Sequence, residues 1–446
     1  MSDDWKFMTA CDLGRGIGYG EINPQDLTEY FLDQIDAHTE REAIYARKTA
    51  KRARAEAKDA ADRAKSGLRA SLLDGVPISW KDLFDTAGIG TEAGTALLKG
   101  RVPQEDARVL KNATARGLVC LGKTHMTELA FSGLGVNPMT ATPPNALAPS
   151  QAPGGSSSGA AVSTALGLAV AGIGSDTGGS VRAPAVWNDL VGLKTTSGYL
   201  SLEGVVPLCA RFDTVGPLCR SVEDAAHLTA AMADHAPADL TGASLSGKRL
   251  LICETVALDA CEPETIEAFE AAIGKLSAAG AKIDMTEMPE VATATEISSP
   301  LYTAEAYATW KKKIEAAPNL MFGPVRERFR AGGDVSAVDY IQGWQHLEQL
   351  RAAFMARMAG YDAVLAPTSP ILPPDTQRLL NDEAYFGERN LLALRNTRIG
   401  NLMGLCSLTL PTGRAHCGLM LMAPPFEEAR LLRLGAAAEA ALSVDG

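Results

Sequence analysis

The chain has 446 residues, 46% of them hydrophobic and 21% charged, and a formal net charge of −11. That length exceeds what one small core needs, which leaves one large α/β domain or two domains. The acidic balance argues against a general nucleic-acid binder, which needs a basic face, and no segment is biased enough to be read as disordered.

Residues 1–16 are acidic and lack an apolar core, so no signal peptide is expected. Asn23-Pro24-Gln25-Asp26 opens a helix: Asn23 caps it, Pro24 takes the first position and Asp26 favours the positive end of the dipole. Residues 41–65 are alanine-rich with mixed charge, the pattern of a surface helix, and their basic run 47–54 reads as a solvated face. The N-terminal helical segment so defined ends at about residue 70. Residues 75–82 read as a turn into a short strand, which Pro77 keeps at a sheet edge or a strand start. A helix over 104–116, a strand over 118–121 and a short helix and turn over 125–132 follow. This alternation marks an α/β layer fold.

The most apolar run, 160–174, contains Ser163, Thr164 and glycines and is too short to span a bilayer. It reads as a buried helix entering a buried strand. Strands are expected over 190–193 and 205–207, a helix over 222–232, a strand over 248–253, a helix over 263–279 and a strand over 282–285. Residues 287–334 carry Pro289, Pro300, Pro318 and Pro324 and are expected as an irregular insertion covering one face. A helix over 337–358, strands over 362–366, 406–410 and 419–422, and a helix over 427–442 close the chain. No repeat and no separating linker is visible, so 1–446 is expected as a single domain. The eight cysteines form no CxxC pair, which gives a metal site no support and suits reduced thiols in the cytoplasm.

Residues 153–180 hold two glycine-rich turns that contain serine, Gly154-Gly155-Ser156-Ser157-Ser158-Gly159 and Ser175-Asp176-Thr177-Gly178-Gly179-Ser180. Glycine lets backbone N–H groups point at a ligand without side-chain obstruction. A hydroxyl at Ser180 beside such amides suits acyl transfer, which needs a nucleophile next to an oxyanion-binding site. The nucleophile also needs a base. None of the six histidines (His38, His125, His227, His235, His346 and His416) lies in a site-like setting, save His125 after Gly122-Lys123-Thr124. A lysine made neutral by burial is the alternative, and Lys81, between Trp80 and Leu83-Phe84, has the apolar flanks for it.

Residues 75–82 (GVPISWKD), 153–159 (PGGSSSG), 175–184 (SDTGGSVRAP), 192–195 (GLKT) and 213–218 (DTVGPL) resemble the amidase signature family. The resemblance implies that family's fold, a central mixed β-sheet of many strands covered by helices on both faces. It implies a triad of Lys81, Ser156 and Ser180, the two serines 24 residues apart as is usual in the family. Ser180 would be acylated, Ser156 would follow a cis peptide bond and relay a proton, and neutral Lys81 would accept it. The N–H groups of Thr177, Gly178, Gly179 and Ser180 would bind the oxyanion, and Ala130, Phe131 and Ser132 would approach the acyl pocket. Asp176 and Arg182 are expected to hold the turn. The reaction implied is hydrolysis of a small carboxamide or urea-type amide, with no metal, no organic cofactor, no nucleic acid and no membrane. Members often dimerise, so a homodimer is among the expectations. Thr195 and Tyr199 replace the proline and arginine of the family's GLKPTxGR, and 145–152 lacks a basic residue often found there.

Two rival readings use the same residues. The chain also resembles the amidase subunit of a tRNA-dependent amidotransferase, which frees ammonia from glutamine. Gly155 to Gly159 further matches G-x-S-x-G, the nucleophile elbow of α/β-hydrolases, with Ser157 as nucleophile and His416 as base. That elbow must follow a strand, and Pro149 and Pro153 make the preceding residues a poor one.

Overall fold

A computed structural model describes residues 5–443; the first four and last three residues of the expected domain lie outside the described residues. The strands are β1 (Tyr45–Lys48), β2 (Pro77–Lys81), β3 (Val119–Thr124), β4 (Gly172–Ser175), β5 (Val191–Lys194), β6 (Val215–Cys219), β7 (Arg249–Cys253), β8 (Lys282–Thr286), β9 (Ala363–Pro367), β10 (Cys406–Pro411) and β11 (Gly418–Ala423). They form one sheet of 11 strands in the order β1-β3-β2-β4-β6-β5-β10-β11-β9-β7-β8. Parallel pairs (β3·β2, β2·β4, β9·β7, β7·β8) flank an antiparallel centre, so the sheet is mixed. Every residue of β2, β4, β5, β6, β9 and β11 is buried. A strand buried on alternate sides along its whole length has helices over both faces. Edge strand β8 is mostly exposed or half-exposed. No helix among the described residues is long and apolar enough to cross a membrane.

Local signals hold where one residue type has one job. Asn23 Oδ1 accepts from the Gln25 N–H and Pro24 starts the helix Pro24–Ala37. Pro77 begins β2, where its missing N–H costs least, but β2 lies inside the sheet between β3 and β4 rather than at an edge.

Four expectations fail for tertiary reasons. Residues 41–65 are a short helix, Arg41–Ile44, then β1, then the helix Ala50–Lys65. Antiparallel pairing of β1 with β3 overrides the alanine-rich pattern. The basic run is ion-paired rather than simply solvated: Arg47 pairs with Asp82 and Glu92, Arg52 with Glu56 and Asp106, and Arg54 with Glu29. Residues 205–207 make only an isolated bridge, Val205 to Phe84, whereas β6 forms through Pro217. Residues 287–334 are mostly helical, as Pro289–Glu296, Ser298–Ala316 and Gly323–Arg330. Pro289 and Pro324 stand in the first turns of their helices, so these prolines mark starts rather than irregularity. The helices Thr376–Asn381, Glu383–Ala393 and Arg395–Leu402 have no counterpart among the elements expected from the sequence.

Candidate active site

The glycine-serine turns and Lys81 meet at the carboxyl ends of the parallel strands β2 and β4. Lys81 is the last residue of β2 and Ser175 the last of β4. Lys81 is fully buried, and its Nζ donates to Ser156 Oγ and Ser175 Oγ, each at 2.8 Å. Trp80 and Phe84, also buried, pack edge to face at 5.2 Å beside it. Burial lowers the Lys81 amine to about 7, while Asp176 and Asp213 pull weakly the other way. Neither carboxylate makes an ion pair with it, because both are engaged elsewhere.

The first turn is anchored on both sides. The Gly155 N–H donates to Gly133 O at 2.8 Å, and Ser156 O accepts from the Thr127 N–H at 3.1 Å. The Gly155–Ser156 peptide is cis, the geometry the family resemblance implied. The Ser157 N–H donates to Ser180 O at 3.2 Å, which ties the first turn to the second. Ser157 stands at the N-terminus of the helix Ser158–Ala165 without capping it. Its hydroxyl donates instead to Ser175 O at 3.2 Å.

The second turn is held by Asp176. Its Oδ1 accepts from the Gly179 N–H (2.8 Å), Arg182 Nη2 (2.9 Å) and Asn401 Nδ2 (3.0 Å). Its Oδ2 accepts from the Val181 N–H and Arg182 Nε, each at 3.1 Å. Burial alone would raise this carboxyl, but Arg182 and the hydrogen bonds bring it down to about 2. Arg182 Nη1 and Nη2 continue to Thr397 O and Asn401 Oδ1, so the turn is braced by the helix Arg395–Leu402. Thr177 Oγ1 donates to Asp213 at 2.6 Å. Because the Gly179 N–H is taken by Asp176, the amides of the turn left without an acceptor among the described residues are those of Thr177, Gly178 and Ser180. Of the four donors expected from the resemblance, the Gly179 N–H is thus turned toward Asp176.

Gly179 has φ +134°, and a Cβ there would lie 2.0 Å from Thr397 Oγ1 and 2.6 Å from Thr397 Cβ. Gly179→Ala is therefore expected to destabilise the fold by more than about 1 kcal/mol and to lower kcat by on the order of 10²-fold by moving the neighbouring amides. Gly178→Ala, whose Cβ would meet nothing within 4 Å, is expected to melt within a few degrees of the wild type. Thermal melts with rate measurements on both variants check this.

A small cavity of about 20 Å³ opens on the second turn, lined by Thr177, Gly178 and Ser180 and by Ala130, Phe131 and Ser132. All three residues expected from 130–132 are thus at the cavity wall. Sequence reasoning missed Leu208, Tyr302, Arg328, Leu394 and Arg398, which complete it. They come from segments read as irregular or not read at all, and no motif marks them. No described histidine lines the cavity. His416, the base of the elbow reading, has Nδ1 2.9 Å from Trp187 O. With the Ser157 hydroxyl on Ser175 O and no strand before it, that reading has no constellation to use.

The amidase family model matches residues 26–432. The chain is 36% identical over 381 residues to the 2-amino-5-chloromuconic acid deaminase of Comamonas testosteroni, covering 82% of each protein. It is 29% identical over 471 residues to the A subunit of the glutamyl-tRNA(Gln) amidotransferase of Desulforamulus reducens, covering 96% of each. A crystal structure of an amidase superposes with a TM-score of 0.87 at 30% identity, covering 97% of this chain and 99% of that one.

Proposed function

The chain belongs to the amidase family, and we propose that it hydrolyses a small-molecule amide with Ser180 as nucleophile, Ser156 as relay and Lys81 as base. One observation carries the base and relay roles: a fully buried lysine, paired with no carboxylate among the described residues, sits 2.8 Å from the Ser156 hydroxyl. A neutral amine keeps a lone pair for a proton; an ammonium ion does not.

In the first step Ser180 Oγ bonds to the amide carbon. The Ser180 proton passes to Ser156 Oγ, and the Ser156 hydroxyl proton passes to Lys81 Nζ. Negative charge collects on the former carbonyl oxygen, where the amides of Thr177, Gly178 and Ser180 donate to it. Each such donor is worth roughly 3 kcal/mol at the transition state. The relay then runs backwards to protonate the leaving nitrogen, the C–N bond breaks, and ammonia or an amine departs. Water repeats the cycle on the acyl-serine and frees the acid.

The base works only when unprotonated. Because Lys81 titrates near 7, kcat/KM is expected to rise with pH through about 7 and to level off above it. A pH–rate profile of the free enzyme checks this; a profile that stays flat across that value would remove Lys81 from the role of base.

The deaminase relative is named for removing an amino group, which supports ammonia as a product. Likeness to the amidotransferase chain over almost the whole length supports a second reading, in which ammonia comes from glutamine inside a complex. An ammonia-release screen over small amides, glutamine included, separates them: turnover by the purified chain alone supports the first, and activity only with partner subunits supports the second. The eight free cysteines, seven of them buried, suit a reducing compartment, and this reading places the enzyme in the cytoplasm, as a monomer or a homodimer.

A further inference from the structure

Two cavities meet at three side chains. One is the small cavity at Ser180. The other, about 360 Å³, lies outside it between Ser298 and Asn390. Tyr302, Arg328 and Arg398 line both.

None of the three is fully satisfied by the described residues. Tyr302 is only 7% exposed, yet its hydroxyl is buried without a partner. Its ring is stacked on Phe212 at 4.2 Å, which fixes where the hydroxyl points. Arg398 Nη2 is likewise buried without an acceptor. Arg328 lies 4.4 Å over the Phe131 ring and gives one hydrogen bond, Nη1 to Phe131 O at 3.2 Å. Burial and the neighbouring Arg398 guanidinium hold Arg328 below the usual arginine range, burial does the same for Arg398, and neither guanidinium forms an ion pair with a carboxylate among the described residues. Two carboxylates do line the outer cavity. Glu327 is held by Arg326 and Arg330, at 2.7 and 3.2 Å, and Glu383 is exposed. Two part-buried like charges at the cavity wall, beside an orphaned hydroxyl, are completed by an anion, and a carboxylate matches the guanidinium fork.

The geometry points to a carboxylate subsite formed by Arg328, Arg398 and Tyr302, so that the substrate is the monoamide of a short dicarboxylic acid. The amide carbon lies at Ser180 and the distal carboxylate between the two arginines. The chain joining them is short, because the same side chains bound the small cavity. This rests on the amidase reading and narrows its substrate class.

The test compares malonamate, succinamate and glutaramate with neutral isosteres such as 4-oxopentanamide. The best monoamide is expected to exceed its neutral isostere in kcat/KM by roughly 10- to 100-fold, the value of a charged hydrogen-bonding pair. Arg398→Met is expected to bring that ratio close to 1, and Tyr302→Phe to lower it several-fold. The ratio is internal to each variant, so a partly folded sample does not mimic the result. An active wild type with a ratio near 1, or an Arg398→Met variant that keeps the preference, overturns the subsite and leaves the amidase reading intact. If no amide is turned over, the amidase reading fails first. Succinate binding to Ser180→Ala, measured by thermal shift, then decides the subsite: a shift that Arg398→Met abolishes supports it, and no shift removes it.

Discussion

Lys81→Met is expected to lower kcat by on the order of 10⁴-fold or more while making the protein more stable at pH 7. The activity loss follows because a triad acts as a unit, and losing one member costs nearly as much as losing all. The double variant Lys81→Met with Ser180→Ala is therefore expected to be no slower than Ser180→Ala alone. The stability gain follows from linkage. In the unfolded chain this amine titrates near 10.5 and in the fold near 7. Its folded value is depressed, so holding it uncharged costs stability below about pH 10, and the cost shrinks as pH rises from 7 to 10.5. At pH 7 the cost is on the order of 4 kcal/mol at about 1.36 kcal/mol per pH unit. Losing the hydrogen bonds to Ser156 and Ser175 offsets about 1 kcal/mol each. Urea unfolding of both proteins at pH 7 and pH 10 checks this. The wild type is expected to close the gap at the higher pH, and an unchanged gap would mean that Lys81 is not the depressed amine described here.

Asp176→Ala is the second large effect, and it falls on stability. Asp176 and Arg182 are both fully buried and paired at 2.9 Å. Removing one partner leaves the other charge uncompensated, a cost of about 3–5 kcal/mol, and also orphans the Gly179 and Val181 N–H groups and Asn401 Nδ2. The denaturation midpoint is expected to fall accordingly, and the folded fraction to lose activity as the turn carrying Ser180 relaxes. There is a pH signature too. The carboxyl is depressed from 3.8 to about 2, so its contribution is present above pH 4 and is lost as pH falls through 2. A variant within about 1 kcal/mol of wild type would show that the turn is held by other groups.

The parts of the site that were legible in the sequence are those where chemistry permits few residue types. Gly179, with its positive φ and Thr397 close against it, must be glycine. A lysine that must be neutral needs apolar flanks, and Trp80, Leu83 and Phe84 supply them in the same short run. The layered α/β class was readable because β2, β3, β7 and β8 are separated by periodic helices. What stayed hidden depends on partners distant in sequence. β1 lies in an alanine-rich run and is a strand only because β3 lies beside it. The Gly179 amide is taken by a carboxylate three residues away, a local detail that spacing alone does not reveal. Tyr302, Arg328 and Arg398 come from three separate helices, and what marks them is that no carboxylate among the described residues forms an ion pair with either arginine.

The central claim is that the Ser180 oxygen becomes acylated. Mass spectrometry of the wild type, quenched in acid during turnover of the best amide from the ammonia screen, tests it most directly. The account predicts one acyl group, mapped by fragmentation to Ser180 and absent from Ser180→Ala. An adduct on Ser156 or Ser157 instead, or full turnover by Ser180→Ala, would contradict it.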